Sequence, residues 1–178
     1  MQLPFDFRFV WSDATVTFPF VRRGITPEGT STYMLQRLLG ASRATSILLT
    51  GATLPATSPL FFGLYQELLP TREEVYPAAL TFAKGLAATT SPACIAWTKA
   101  LLQHPGDSVE ENHLLESPAI RILGKGNDAN EGVRSIFEGT PPKFENSLKI
   151  LDGHVPWVSS YLVQTHSSFS DFWLVALA

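Results

Sequence analysis

Only one cysteine, Cys94, occurs among the 178 residues. It cannot close an internal disulfide, and no Cys cluster exists to hold zinc, so a reducing compartment fits. Charge is sparse as well: charged side chains make up 16% and the net charge is −3. Without a long basic run, neither nucleic acid nor an anionic membrane is expected as a partner. Apolar runs are short. The most apolar tract, Phe172 to Ala178, falls far below the roughly 20 residues that cross a bilayer. Met1 to Asp6 lacks a basic stretch followed by an apolar one, so no secretory signal is read there. The four histidines, His104, His113, His154 and His166, are dispersed and without metal-ligand spacing. Gly124-Lys125-Gly126 lacks the frame of a phosphate loop, and no Gly-x-Ser-x-Gly elbow is present.

What is there is a globular composition, 45% hydrophobic, in a length that suits one domain. The alternating aromatic stretch Phe5 to Val10 predicts a half-buried strand, and Ala14 to Phe18 a second, stopped by Pro19. Residues 21 to 30 read as a loop. Thr30 or Ser31 can cap a helix over Thr32 to Leu39, closed by Gly40, and Ser42 opens another that ends before Gly51. A short strand is expected around Leu64 to Leu68. Thr71 and Glu74 are spaced as a capping box, and Val75, Ala78, Ala79, Phe82, Ala83 and Leu86 form one apolar face. Pro77 argues for a helix start later than Thr71. Ser91-Pro92 opens a helix to about Gln103. Two further helices are expected, over Ser108 to Glu116 and Asn130 to Phe137. Two early strands followed mostly by helices are too few for a self-sufficient sheet, so the chain reads as the back half of a larger α/β fold.

The run Asp13-Ala14-Thr15-Val16-Thr17-Phe18-Pro19-Phe20, continued by Val21 to Ser31 with Glu28-Gly29, resembles the enoyl-CoA hydratase/isomerase (crotonase) family. It is most similar to the Δ3,Δ2-enoyl-CoA isomerase branch. Leu38-Leu39-Gly40, Leu48-Leu49-Thr50-Gly51 and Gly63-Leu64-Tyr65-Gln66-Glu67 continue the likeness in order. So do Ser91-Pro92-Ala93 with Trp97-Thr98-Lys99, then Glu131 to Phe137, and Pro142-Lys143-Phe144. The resemblance implies an α/β fold that is the C-terminal part of a crotonase (ClpP-like) domain over residues 1–144. Residues 145–178 are expected to be a non-family tail.

The resemblance also implies chemistry. In the isomerase branch the glutamate matching Glu28 is the base that takes a proton from C2 of a 3-enoyl-CoA and returns it at C4. An apolar acyl pocket around the carboxylate is expected with it. The plainer reading is that Glu28 sits in an exposed turn, favourable only for its place at a helix N-terminus. Hydratases of the family carry a glutamate where Phe20 stands, which favours isomerase over hydratase. The substrate would be an acyl-CoA thioester, with no cofactor and no metal, in a possible homotrimer. The family's two oxyanion N–H donors lie upstream of the matched segment, so an N-terminally shortened chain is expected. Loss of even one such donor costs about 10² to 10³ in rate. An inactive remnant that binds acyl-CoA or joins full-length subunits is therefore the alternative. Many relatives are peroxisomal, but Ala176-Leu177-Ala178 is not a Ser-Lys-Leu-type address, so a cytosolic product is expected.

Overall fold

The computed structural model describes residues 2–151 and the backbone of Ala176 and Leu177. Few, short strands accompany six helices among the described residues, and the described chain divides into two compact units at Ala83.

In the first unit, strand β1 (Arg8–Trp11) lies between β4 (Glu67–Leu69) and β5 (Ala176–Leu177), parallel to both. Phe9 is in register with Glu67 on one side and Leu177 on the other. The expected alternation of β1 fails, because Phe9 and the adjacent Val10 are both buried. A parallel strand covered on both faces reads as a continuous apolar run. β2 (Thr15–Thr17) pairs antiparallel with β3 (Thr53–Pro55), a strand that the sequence pattern did not suggest. Its three residues, capped by Pro55, are too few to show a period.

Helices α1 (Ser31–Leu39) and α2 (Ala41–Thr50) bury Leu35, Leu39, Ala44, Ile47 and Leu48 against Leu3, Phe61 and Leu64. Full burial of a leucine of this kind contributes about 2 kcal/mol. Helix α3 (Arg72–Thr89) starts directly after Thr71, whose N–H donates to Glu74 Oε2 at 3.2 Å. That is the return arm of the expected capping box. Pro77 does not delay the start. It lies on the exposed side of the helix, where water can reach the carbonyl it leaves without a donor. The inner side carries Val75 and Ala79 against Phe9 and Leu69, with Phe82 edge-on to Phe7 at 4.8 Å.

The second unit is built on α4 (Pro92–Gln103), α5 (Val109–Leu123) and α6 (Asn127–Glu138). Ser91 Oγ accepts from Cys94 N–H at 3.4 Å and Ser108 Oγ from Glu111 N–H at 3.1 Å, as the N-cap pattern requires. α5 outruns its expected end at Glu116 and passes through Pro118. Its continuation places Ala119, Ile122 and Leu123 in the cluster around buried Trp97, and this packing overrides the local break. α6 begins three residues earlier than Asn130, after Gly126. A Cβ on Gly126 would lie 2.6 Å from Asn146 Nδ2, so a larger residue there would displace the Asn146 side chain.

The polypeptide after α6 returns along it. Buried Asp128 accepts from the N–H groups of Glu145 and Asn146 at 2.8 and 3.0 Å through Oδ1. Leu148 and Ile150, in a 3₁₀ turn (Leu148–Leu151), join the Trp97 cluster. The expected tail thus starts with a segment held on this unit through Glu145, Asn146, Leu148 and Ile150, while residues 152–175 lie outside the described residues. Glu131 grips Arg134 with two bonds at 2.7 and 2.9 Å, accepts from Lys143 N–H at 2.7 Å, and Arg134 also meets Glu138. The Arg134 guanidinium, helped by the Lys143 N–H, holds the Glu131 carboxyl at about 2.

Two predictions follow from this arm. A chain ending at Leu151 should outlast one ending at Phe144 in urea by on the order of 2–4 kcal/mol, because the shorter one loses both N–H donors to Asp128 and the packing of Leu148 and Ile150. Both lack β5, so equal unfolding midpoints would show that residues 145–151 hold nothing. The second concerns acid. A carboxylate bound more tightly to its partners when folded stabilises above the ordinary value of 4.5, and that contribution disappears as pH falls toward 2. Melting temperatures measured from pH 6 to pH 2 should therefore fall less steeply in Glu131→Gln than in the natural chain; parallel curves would exclude the linkage.

Candidate active site

Glu28 lies in the first unit, in the turn that feeds α1. The loop before it opens with a 3₁₀ turn (Val21–Arg23) and is tied down by Arg22, whose Nε donates to Thr50 C=O at 2.7 Å. This engages Arg22 with the end of α2, and Arg23 remains exposed. Pro27 is half-buried and Glu28 exposed. Gly29 and Thr30 then adopt left-handed backbone, with φ 61° and 58°. Ser31, fully buried, closes the turn: its Oγ donates to Glu28 C=O at 2.7 Å, and its N–H reaches the same carbonyl at 3.2 Å.

The cap expected from Thr30 is absent. Its hydroxyl donates to Gly29 C=O at 2.7 Å instead of receiving a helix N–H. The left-handed backbone of Thr30 is the cause, since an N-cap serine or threonine works from extended backbone. The expected apolar pocket is also not formed around Glu28 by the described residues, because the side chain faces solvent. Phe20, where a hydratase would carry a glutamate, is half-buried immediately before the 3₁₀ turn. Sequence reasoning treated Ser31 only as a possible cap. Its pairing with the Glu28 carbonyl depends on two left-handed residues, and no local pattern signals those.

Beneath this turn, α1 is fixed through Leu35 and Leu39 to a core that also contains Leu3 and Leu64. Arg8 is buried there and donates from Nε to Leu64 C=O at 2.7 Å and from Nη1 to Leu3 and Phe5 C=O. Burial lowers its pKa and the charge of Asp6 raises it; beside it, burial pushes the Tyr65 hydroxyl up to about 12, with the Arg8 charge opposing.

The second unit has a cleft of about 1010 Å³ between α4 and α5, bordered by Cys94, Trp97, Leu101, Val109 and Ile120. Cys94 is only half-buried at its edge. Glu28 is not among the lining residues, whereas Asp107, His113 and Glu116 are. His104 and His113 are exposed, and His154 and His166 lie outside the described residues. Among the described residues no group of three His, Cys, Asp or Glu could hold a metal, and no helix is long and apolar enough to cross a membrane.

The chain is similar to known proteins in sequence and in fold. The sequence model of the enoyl-CoA hydratase/isomerase family matches residues 1–147. Enoyl-CoA hydratase AFT3-1 of Alternaria alternata is 36% identical over 153 residues, covering 86% of this chain and 52% of that protein. Enoyl-CoA hydratase ACTT3 of the same organism is 36% identical over 148 residues, covering 83% and 50%. Among solved structures, a probable enoyl-CoA hydratase/isomerase from Mycobacterium abscessus superposes with a TM-score of 0.74 at 33% identity, over 80% of this chain and 56% of that one. The chain spans about half the length of the curated relatives it matches. With that match running unbroken through the Glu28 turn and all six helices, the chain belongs to the enoyl-CoA hydratase/isomerase family.

Proposed function

We propose that this chain contributes the acid–base part of a Δ3,Δ2-enoyl-CoA isomerase, with Glu28 as the base. The observation that carries the reading is the Glu28 turn itself: a carboxylate on a backbone held by Ser31 just ahead of a core-anchored helix. The Glu28 carboxylate takes the proton from C2 of a 3-enoyl-CoA. The C2–H electron pair enters conjugation with the thioester, the C3–C4 double bond moves to C2–C3, and the same proton is delivered to C4. Nothing is added or lost, so one carboxylate suffices. Water addition, by contrast, calls for paired carboxylates to hold and split the water, and Phe20 occupies the place of one. The curated relatives quoted above carry the name hydratase, so the choice between the two reactions rests on Phe20 and Glu28.

The exposure of Glu28 favours a second reading, a non-catalytic member that binds acyl-CoA or assembles with longer subunits. The two separate in one assay. With 3-hexenoyl-CoA, the natural chain should give the conjugated 2-enoyl product, and Glu28→Gln should lose at least about hundredfold in rate with an unchanged circular dichroism spectrum. Binding without turnover by the natural chain selects the second reading. Equal rates in both proteins would mean that Glu28 is not the base.

We also propose self-association, as a homotrimer, through the open side of α6. Val133, Ile136 and Phe137 line that side at helical spacing and are 55%, 80% and 86% exposed. Sedimentation at micromolar concentration should show a trimer that Ile136→Glu shifts toward monomer. A clean monomer of the natural chain across the concentration range would exclude this surface.

A further inference from the structure

The turn that carries Glu28 is backed by one buried hydroxyl that helix capping does not explain. A capping serine accepts from helix N–H groups. Ser31 instead donates backward, from Oγ to Glu28 C=O at 2.7 Å, while its own N–H reaches the same carbonyl at 3.2 Å. Between these ends stands Thr30 at φ 58°. A β-branched residue crowds its backbone in the left-handed region, and such strain persists only where neighbours hold it. The Ser31 bonds hold it from one side, and the Met34 N–H, donating to Thr30 C=O at 2.9 Å, from the other. The bonds that fix Glu28 thus act on its backbone, while its side chain is exposed.

We propose that Ser31 is the positioning residue of the proton shuttle, setting the direction of the Glu28 carboxylate by locking the Glu28-Gly29-Thr30 turn. This rests on the reading of Glu28 as the base. Without the hydroxyl, Thr30 relaxes out of the left-handed region and Glu28 turns away from the substrate. α1 itself stays in place, because Leu35 and Leu39 anchor it in the core independently of the turn.

The test is steady-state turnover of 3-hexenoyl-CoA by the full chain. Ser31→Ala should lower kcat about tenfold, since a small misplacement of a reacting group is costly. KM should stay within about twofold, because only the transition state needs the exact direction. The melting temperature should stay close to that of the natural chain. Adding Thr30→Gly to Ser31→Ala should restore most of kcat, because glycine adopts this φ without support. A hydroxyl that merely filled the core would not respond to a change at exposed position 30. An unchanged kcat in Ser31→Ala, beside an inactive Glu28→Gln, overturns the positioning role and leaves the base in place. A double variant no faster than Ser31→Ala also overturns it. Full turnover by Glu28→Gln, or none by the natural chain, overturns the reading of Glu28 and the positioning role together.

Discussion

The Arg8 side chain is the tie on which the first unit depends. It leaves the central strand β1 and donates to three backbone carbonyls, those of Leu3, Phe5 and Leu64. Each belongs to irregular chain with no ladder partner of its own, and a buried carbonyl without a donor costs about 1–3 kcal/mol. One guanidinium answers all three, because its planar fork presents several N–H groups in fixed directions. The charge is itself expensive to bury, and the Asp6 carboxylate nearby offsets part of that. Because Leu3 and Leu64 also sit in the core that receives Leu35 and Leu39, the same tie sets the floor under α1 and hence the base of the Glu28 turn.

The second unit solves a different problem with the same means. Its helices bury little around Trp97 and Ala119, so the returning arm completes the cluster with Leu148 and Ile150. Asp128 holds that arm through two N–H groups, and Glu131 adds a third at Lys143. The outcome inverts α6. Its polar side, with Asp128 and Ser135, is covered, and its apolar side, with Ile136 and Phe137, is open. Asp128 is thus buried while Phe137 is exposed, the reverse of the usual amphipathic order.

The candidate site lies where local rules are broken. Thr30 in left-handed backbone, a serine that donates where a cap would accept, and a solvent-facing carboxylate all fall within four residues. Elsewhere local preference and packing agree: Ser91 and Ser108 cap as expected, and α3 carries its apolar side to Phe9. The two prolines inside helices are tolerated by context. Pro77 is exposed, and beside Pro118 the Ser117 hydroxyl donates to His113 C=O at 2.8 Å.

Most of the element order, the caps at Ser91 and Ser108, the Thr71 capping box and the family were legible in the sequence, because each rests on residue types at fixed short spacing; the caps expected at Thr30 and Ser42 are not formed. Glu28 was legible as a candidate for the same reason: its Glu-Gly pair stands in an ordered run of family-like segments. β3, the full length of α5, and both buried faces of β1 were not. They depend on partners distant along the chain: Thr15 to Thr17 for β3, the Trp97 cluster for α5, and β4 and α3 for β1. The bond from Ser31 to Glu28 belongs with these, although its residues are only three apart. Nothing in Glu-Gly-Thr-Ser dictates two successive left-handed residues, and only the core's hold on Leu35 and Leu39 fixes where α1 begins and obliges the turn to close. Sequence alone therefore determined which residues could do chemistry, and tertiary packing decided how the candidate base is held.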